Sequence, residues 1–192
     1  MAVLILGLIL FLGVHSTRIV ADGWRTQMMA RVGEKPWKGV YALLSIAGFV
    51  LLVWGYGLAR QNPVQLWAPP AGMRHVAALL MLVAFILLVA TYVPRNAIKA
   101  KLHHPMLLSV KVWALAHLLA NGTLAGVVLF GSFLVWAVCC FKAARGRDRA
   151  AQAVYPPGTP AGTAVAMAVG LVAWAVFAFW AHGLLIGVRP LG

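Results

Sequence analysis

What most constrains this chain is a series of uncharged apolar runs, each about as long as a lipid bilayer is thick. No charged side chain lies between Lys38 and Arg60, between Arg74 and Arg95, or between Arg149 and Arg189. An apolar stretch of about 18 residues or more reads as a membrane-spanning helix, because only a helix pairs its own backbone groups inside hydrocarbon. A soluble core cannot use that many such runs. The composition agrees: 63% of the chain is hydrophobic and 10% is charged, against about a quarter charged in soluble domains. The fold class expected is therefore all-α, a polytopic membrane helix bundle of about six spans forming a single domain over residues 1–192.

In chain order, the first span covers residues 1 to about 20. No Lys or Arg precedes Leu4 to Leu12, so it reads as a retained span rather than a signal peptide. A basic loop follows, and the second span runs from about Trp37 to Ala59. A proline-rich loop leads to the third span, His75 to about Val93, which Pro94 stops. The fourth opens at Pro105 and ends near Asn121-Gly122. That Asn-Gly turn joins it to the fifth, Thr123 to Phe141, as a tight antiparallel hairpin. The sixth runs from about Thr163 to His182. Lys111 lies inside the fourth span and is expected to snorkel its amine to the nearer surface.

The net charge of +13 invites a nucleic-acid reading, but the placement of the charges excludes it. They sit in short loops, where the positive-inside rule operates. The loops after spans one, three and five hold 5, 3 and 4 basic residues, which makes 12; the opposite side holds Arg60, Arg74 and Arg189. Both termini are therefore expected outside, with the basic loops in the cytoplasm. The partner so implied is the lipid bilayer, of a bacterial inner membrane if the host is Gram-negative. Oligomeric state is left open.

The inventory of reactive groups is small. The three acids, Asp22, Glu34 and Asp148, are assigned to loops on the basic side, which leaves no carboxylate relay within the spans. Adjacent Cys139 and Cys140 form no C-x-x-C and read as small packing residues. No G-x-S-x-G, phosphate loop or H-E-x-x-H occurs. Histidines remain. His75 and His103 read as interfacial or solvated, while His15, His104, His117 and His182 sit near four helix ends. Singly, each is as well explained by packing. His104 and His117 are 13 positions apart, about 20 Å along a helix and about 220° around it, so they cannot share one metal ion. By contrast, the depths of His15 and His117 differ by under ~10 Å in a ~30 Å slab. Two imidazoles flanking a flat macrocycle accommodate that; a zinc ion would require further ligands nearby. The cofactor expected is thus haem b, with His15 and His117 as metal ligands. Arg18, three positions after His15, is suited to a haem propionate. His104, His182 and Asn121 are assigned to the surroundings of the site or to a substrate path.

The short motifs Gly13-Val-His15-Ser-Thr-Arg18, Gly33-Glu34, Tyr41 with Ser45, Leu66-Trp67, His104-Pro105, Ala116-His117-Leu-Leu-Ala-Asn121-Gly122 and Ala181-His182 resemble, in order and spacing, those of the NnrU family. That resemblance implies a multi-helix inner-membrane protein found with genes for nitrite and nitric oxide reduction. More distantly, the chain is similar to 15-cis-zeta-carotene isomerase, a haem b membrane enzyme. Its proposed axial histidines correspond to His15 and His117, its His-Pro to His104-Pro105 and its last histidine to His182. The isomerase's cysteine, implicated in ligand exchange on reduction, is replaced by Ala114 here. Three functions follow as expectations. The first is a haem b protein of redox or nitrogen-oxide metabolism, acting on a small apolar or redox substrate. The others are a haem-dependent polyene isomerase and a non-enzymatic scaffold or assembly factor.

Overall fold

The apolar runs become long helices, as the periodicity requires. The computed structural model describes residues 1–191. Helix α1 spans Ala2–Val20, α2 Asp22–Val32, α3 Glu34–Ala59, α4 Met73–Tyr92 and α5 Ala97–Leu102. They are followed by α6 Pro105–Ala120, α7 Leu124–Ala150 and α8 Pro160–Val176, then a π-turn at Phe177–Ala181 and α9 His182–Ile186. Among the described residues, five segments are long and apolar enough to cross a membrane: α1, α3, α4, α7 and the run from α8 through α9. Helix α6 is the sixth apolar helix, but at 16 residues it is about 24 Å long, shorter than the hydrocarbon slab. The architecture is an all-α polytopic bundle.

Three departures from the sequence reading concern the basic side. The stretch after the first span is not a plain loop; it carries α2, and α3 starts at Glu34 rather than Trp37. The turn after α4 carries the short helix α5. The fifth apolar run does not end at Phe141, because α7 continues to Ala150. Residues 142–150 include three Ala, three Arg and one Lys, all good helix formers, and these outweigh Gly146 and Asp148 in carrying the helix on. Asp22, Glu34 and Asp148 thus lie within helix ends rather than in loops.

Packing follows small residues. Helix α1 lies along α3, and α7 closes against both; α4 packs on α6 and α8, and α6 on α7. Gly7, Gly48 and Gly55 line the α1–α3 contact. A Cβ on Gly48 would sit 2.7 Å from the Phe11 nitrogen, and one on Gly55 2.6 Å from the Leu4 Cα. Close backbone approach through glycine is how apolar helices associate where no hydrophobic force acts between them and lipid. Gly170 does the same for α8 against Ile86 of α4. The core of α1, α3, α6 and α7 contains Leu4, Leu8, Leu52, Ala114, Leu129 and Phe130.

Both ends are stitched by loops. Away from the basic side, the α3–α4 loop lies over the α6–α7 turn: Leu66 and Trp67 donate their N–H groups to the Gly122 carbonyl at 2.8 and 3.2 Å. Two of the short sequence motifs, Leu66-Trp67 and Asn121-Gly122, therefore meet. On the basic side Asn96 is buried, donates to the Ala90 and Val93 carbonyls at 2.9 and 2.6 Å, and accepts from the Lys99 N–H at 2.8 Å. It fastens the end of α4 to the cap of α5.

Candidate functional site: a cationic cavity beside an interior histidine

His15 is placed by helix α1, whose face turns it towards α3 and α7. Its Nδ1–H donates to the Phe11 carbonyl at 2.7 Å. Its ring lies 4.3 Å from Phe11, 5.3 Å from Tyr41 and 6.2 Å from Trp136, centroid to centroid. Pinning Nδ1 to a carbonyl fixes the tautomer and leaves Nε2 as the lone-pair nitrogen, the arrangement metal-ligating histidines adopt. Among the described residues Nε2 makes no hydrogen bond. Trp136 Nε1–H, on the ring facing His15, is buried without an acceptor. An orphaned buried donor costs about 1–3 kcal/mol.

A cavity of about 570 Å³ opens beside His15 at the basic end of the bundle. Its wall carries Arg18, Arg25, Lys38 and Arg147, from four helices, together with Trp37, Tyr41, Cys140 and Leu107. His104 and Asp148 line the same cavity. Asp148 Oδ2 accepts from His104 Nε2–H at 2.8 Å and from the Tyr155 hydroxyl at 3.1 Å. Arg145 and His103 Nδ1 each stand 3.8 Å away. Burial pushes the Tyr155 phenol above its ordinary range, and the bond it donates to Asp148 adds to that.

The imidazole of His103 is not solvated. Its side chain is 24% exposed, its Nδ1 is buried and unbonded, and its ring sits 4.1 Å from Tyr155. Its backbone has φ +63°, a conformation non-glycine residues rarely adopt. The turn thereby brings two consecutive imidazoles to one carboxylate.

His117 lies elsewhere. Its Nδ1–H donates to the Trp113 carbonyl at 2.9 Å, the same pinning as at His15. Its ring stacks on Phe130 at 4.6 Å and approaches Trp113 at 5.3 Å. Between His15 and His117 stand Phe11, Phe133 and Trp113, in steps of 4.3, 5.9, 5.3 and 5.3 Å. His15 meets α7 at Trp136 and His117 meets it at Phe130, a depth difference of about 9 Å. The structure brings His15 together with His104 on one cavity wall and does not bring it together with His117.

The other predicted residues resolve as follows. Arg18 lines the cavity, 61% exposed and 4.0 Å from Asp22. Asn121 caps α6 by donating to the His117 carbonyl at 2.9 Å. His182 follows the π-turn and donates to the Val188 carbonyl at 2.6 Å. Lys111 holds its amine 3.9 Å above the Phe141 ring, a cation–π contact that suits a desolvated amine. Asp148, Tyr155 and Trp136 were not singled out in the sequence. The one signal was Asp148 as the single acid among Lys142, Arg145, Arg147 and Arg149.

The family model described as NnrU protein matches residues 3–190. The chain belongs to the NnrU protein family. That match spans every element of the bundle, so the cavity and both pinned histidines fall within the region the family shares. No curated protein and no solved structure matches the chain. The likeness to the isomerase therefore rests on its short motifs. Ala114, which stands where that enzyme has its cysteine, is fully buried in the apolar core.

For a haem, the donor chemistry at His15 fits: a pinned imidazole with a free Nε2, an orphaned indole donor beside it, and cations at the cavity wall. For His117 the chemistry fits, while a chain of contacting aromatic rings, Phe11, Phe133 and Trp113, links the two histidines. Among the described residues no three His, Cys, Asp or Glu side chains gather as a metal-binding group.

Proposed function

We propose that this NnrU-family membrane protein binds haem b and serves redox or nitrogen-oxide metabolism in the bacterial inner membrane. The observation that carries the reading is the shared state of two interior histidines. His15 and His117 each give Nδ1–H to the carbonyl four residues back, at 2.7 and 2.9 Å, and keep Nε2 free. His15 is the first ligand in this reading, and Arg18 stands ready for a propionate on the cavity wall. His117 would be the second ligand. A haem so held would supply one-electron chemistry. The chain's own part would be to fix the two tautomers, to supply the apolar rings of Phe11, Phe133 and Trp113 near the imidazoles, and to face the carboxylates with cations. Family membership supports the link to nitrite and nitric oxide reduction.

The test is the absorbance of the purified protein and its histidine variants. His15→Ala and His117→Ala should each lose a low-spin haem spectrum, while His75→Ala and His103→Ala should keep it. Retention of a bis-histidine spectrum in His117→Ala would assign the second ligand elsewhere, with His104, which lines the same cavity as His15, the first alternative to test.

A further inference from the structure

We propose that the mouth of the cavity is a phosphate site for the headgroup of an anionic phospholipid from the leaflet on the basic side. The observation is unused donor capacity. Arg18 and Arg25 approach Asp22 only at 4.0 and 3.7 Å, beyond hydrogen-bond length. Arg147 gives one nitrogen to the Arg18 carbonyl at 3.1 Å, and the rest of its fork is free among the described residues. Three guanidinium groups thus border one cavity with most of their donors unfilled. Lys38, which contacts Glu34 at 2.6 Å, stands beside them. A tetrahedral anion with several acceptor oxygens is what such forks engage best.

Charge counting agrees. With Arg145, 3.8 Å from Asp148, five cations face Asp148, Asp22 and Glu34, which leaves 5 − 3, two positive charges. Asp148 is already engaged by His104 and Tyr155. The excess is positive, so an anionic phosphodiester is favoured over a zwitterionic headgroup. Met29, Trp37 and Leu107 on the same wall offer apolar surface for the glycerol and the first acyl carbons. Basic pockets between spanning helices on the side of the anionic leaflet take lipid headgroups by this chemistry. Arg18 borders both sites, but Arg25, Lys38 and Arg147 belong to the lipid site alone and His15 and His117 to the haem reading alone, so variants at those residues test the two separately.

The experiment uses the full chain purified without added haem, with native mass spectrometry of bound dioleoyl phosphatidylglycerol against dioleoyl phosphatidylcholine. One phosphatidylglycerol should be retained with at least tenfold preference. The combined variant Arg25→Gln, Lys38→Gln, Arg147→Gln should lose that preference by tenfold or more. The control Arg31→Gln, Lys35→Gln, Arg149→Gln removes equal charge from the same side outside the cavity and should keep it. Should the combined variant not fold, Arg25→Gln and Lys38→Gln singly should each show a partial loss. Displacement of the lipid by millimolar inorganic phosphate would show that phosphate alone suffices; no displacement would show that the acyl contacts are needed. Equal loss in cavity and control variants would overturn the proposal, because the attraction would then be the general charge of the basic side. So would equal retention of both lipids by the parent.

Discussion

Gly55 and Gly57 sit two positions apart on α3 and should respond to alanine with opposite signs. Both are helical, and replacing a helical glycine by alanine is intrinsically favourable by about 0.5–1 kcal/mol. At Gly57 a Cβ would meet nothing within 4 Å, so Gly57→Ala should gain that amount. At Gly55 the Cβ would sit 2.6 Å from the Leu4 Cα and 2.7 Å from the Val3 carbonyl carbon. Those are backbone atoms, which cannot turn away as a side-chain end can. Helices α1 and α3 must therefore separate, at an overpacking cost of about 1–3 kcal/mol. Net, Gly55→Ala should destabilise by up to ~2 kcal/mol, and the two variants should differ by about 1–3 kcal/mol. Thermal unfolding of the parent and both variants in one detergent measures the contrast. Because α1 carries His15 against Tyr41 of α3, the same separation should loosen the cavity wall. Shifts of equal sign and size would refute the close approach of α1 and α3.

Other predictions follow from the basic end and from topology. Asp148→Ala leaves the His104 and Tyr155 donors without their acceptor and should cost about 1–2 kcal/mol in all, less than the about 1–3 kcal/mol per fully buried orphaned group because both bonds are only part-buried. Asp148→Asn keeps an acceptor oxygen and should cost about half; equal losses in thermal unfolding would show that Asp148 does not hold the pair. A periplasm-active reporter fused to the C-terminus should be active, since 12 basic residues against 3 place both ends outside. Activity of a cytoplasm-only reporter there would reverse the bundle.

The spans were legible because lipid imposes length and apolarity, and each long uncharged run became a helix at nearly its expected bounds. The hairpin at Asn121-Gly122 was legible too, as a turn signal between two such runs. The extension of α7 to Ala150 was not, because the sequence turns basic at Lys142 and charge resembles loop composition, while alanine and arginine keep the helix going. That extension carries Asp148 to His104, 44 residues away in sequence, a pairing no local pattern announces. His15 and His117 were matched by depth alone. Depth says nothing of which way a ring points around its helix, and the aromatic rings of Phe11, Phe133 and Trp113 between them come from three different helices. The tautomer-fixing bonds at both histidines were also invisible, since any helical histidine has a carbonyl four residues back and only its rotamer decides whether it is used.

The central claim is most directly tested by one absorbance spectrum of the full chain, purified from cells supplied with haem precursor. The account predicts a Soret band and, on reduction with dithionite, the sharpened visible bands of six-coordinate low-spin haem b. Protein that emerges folded and lipid-bound but without a Soret band, and takes up none when haem is added, would contradict it.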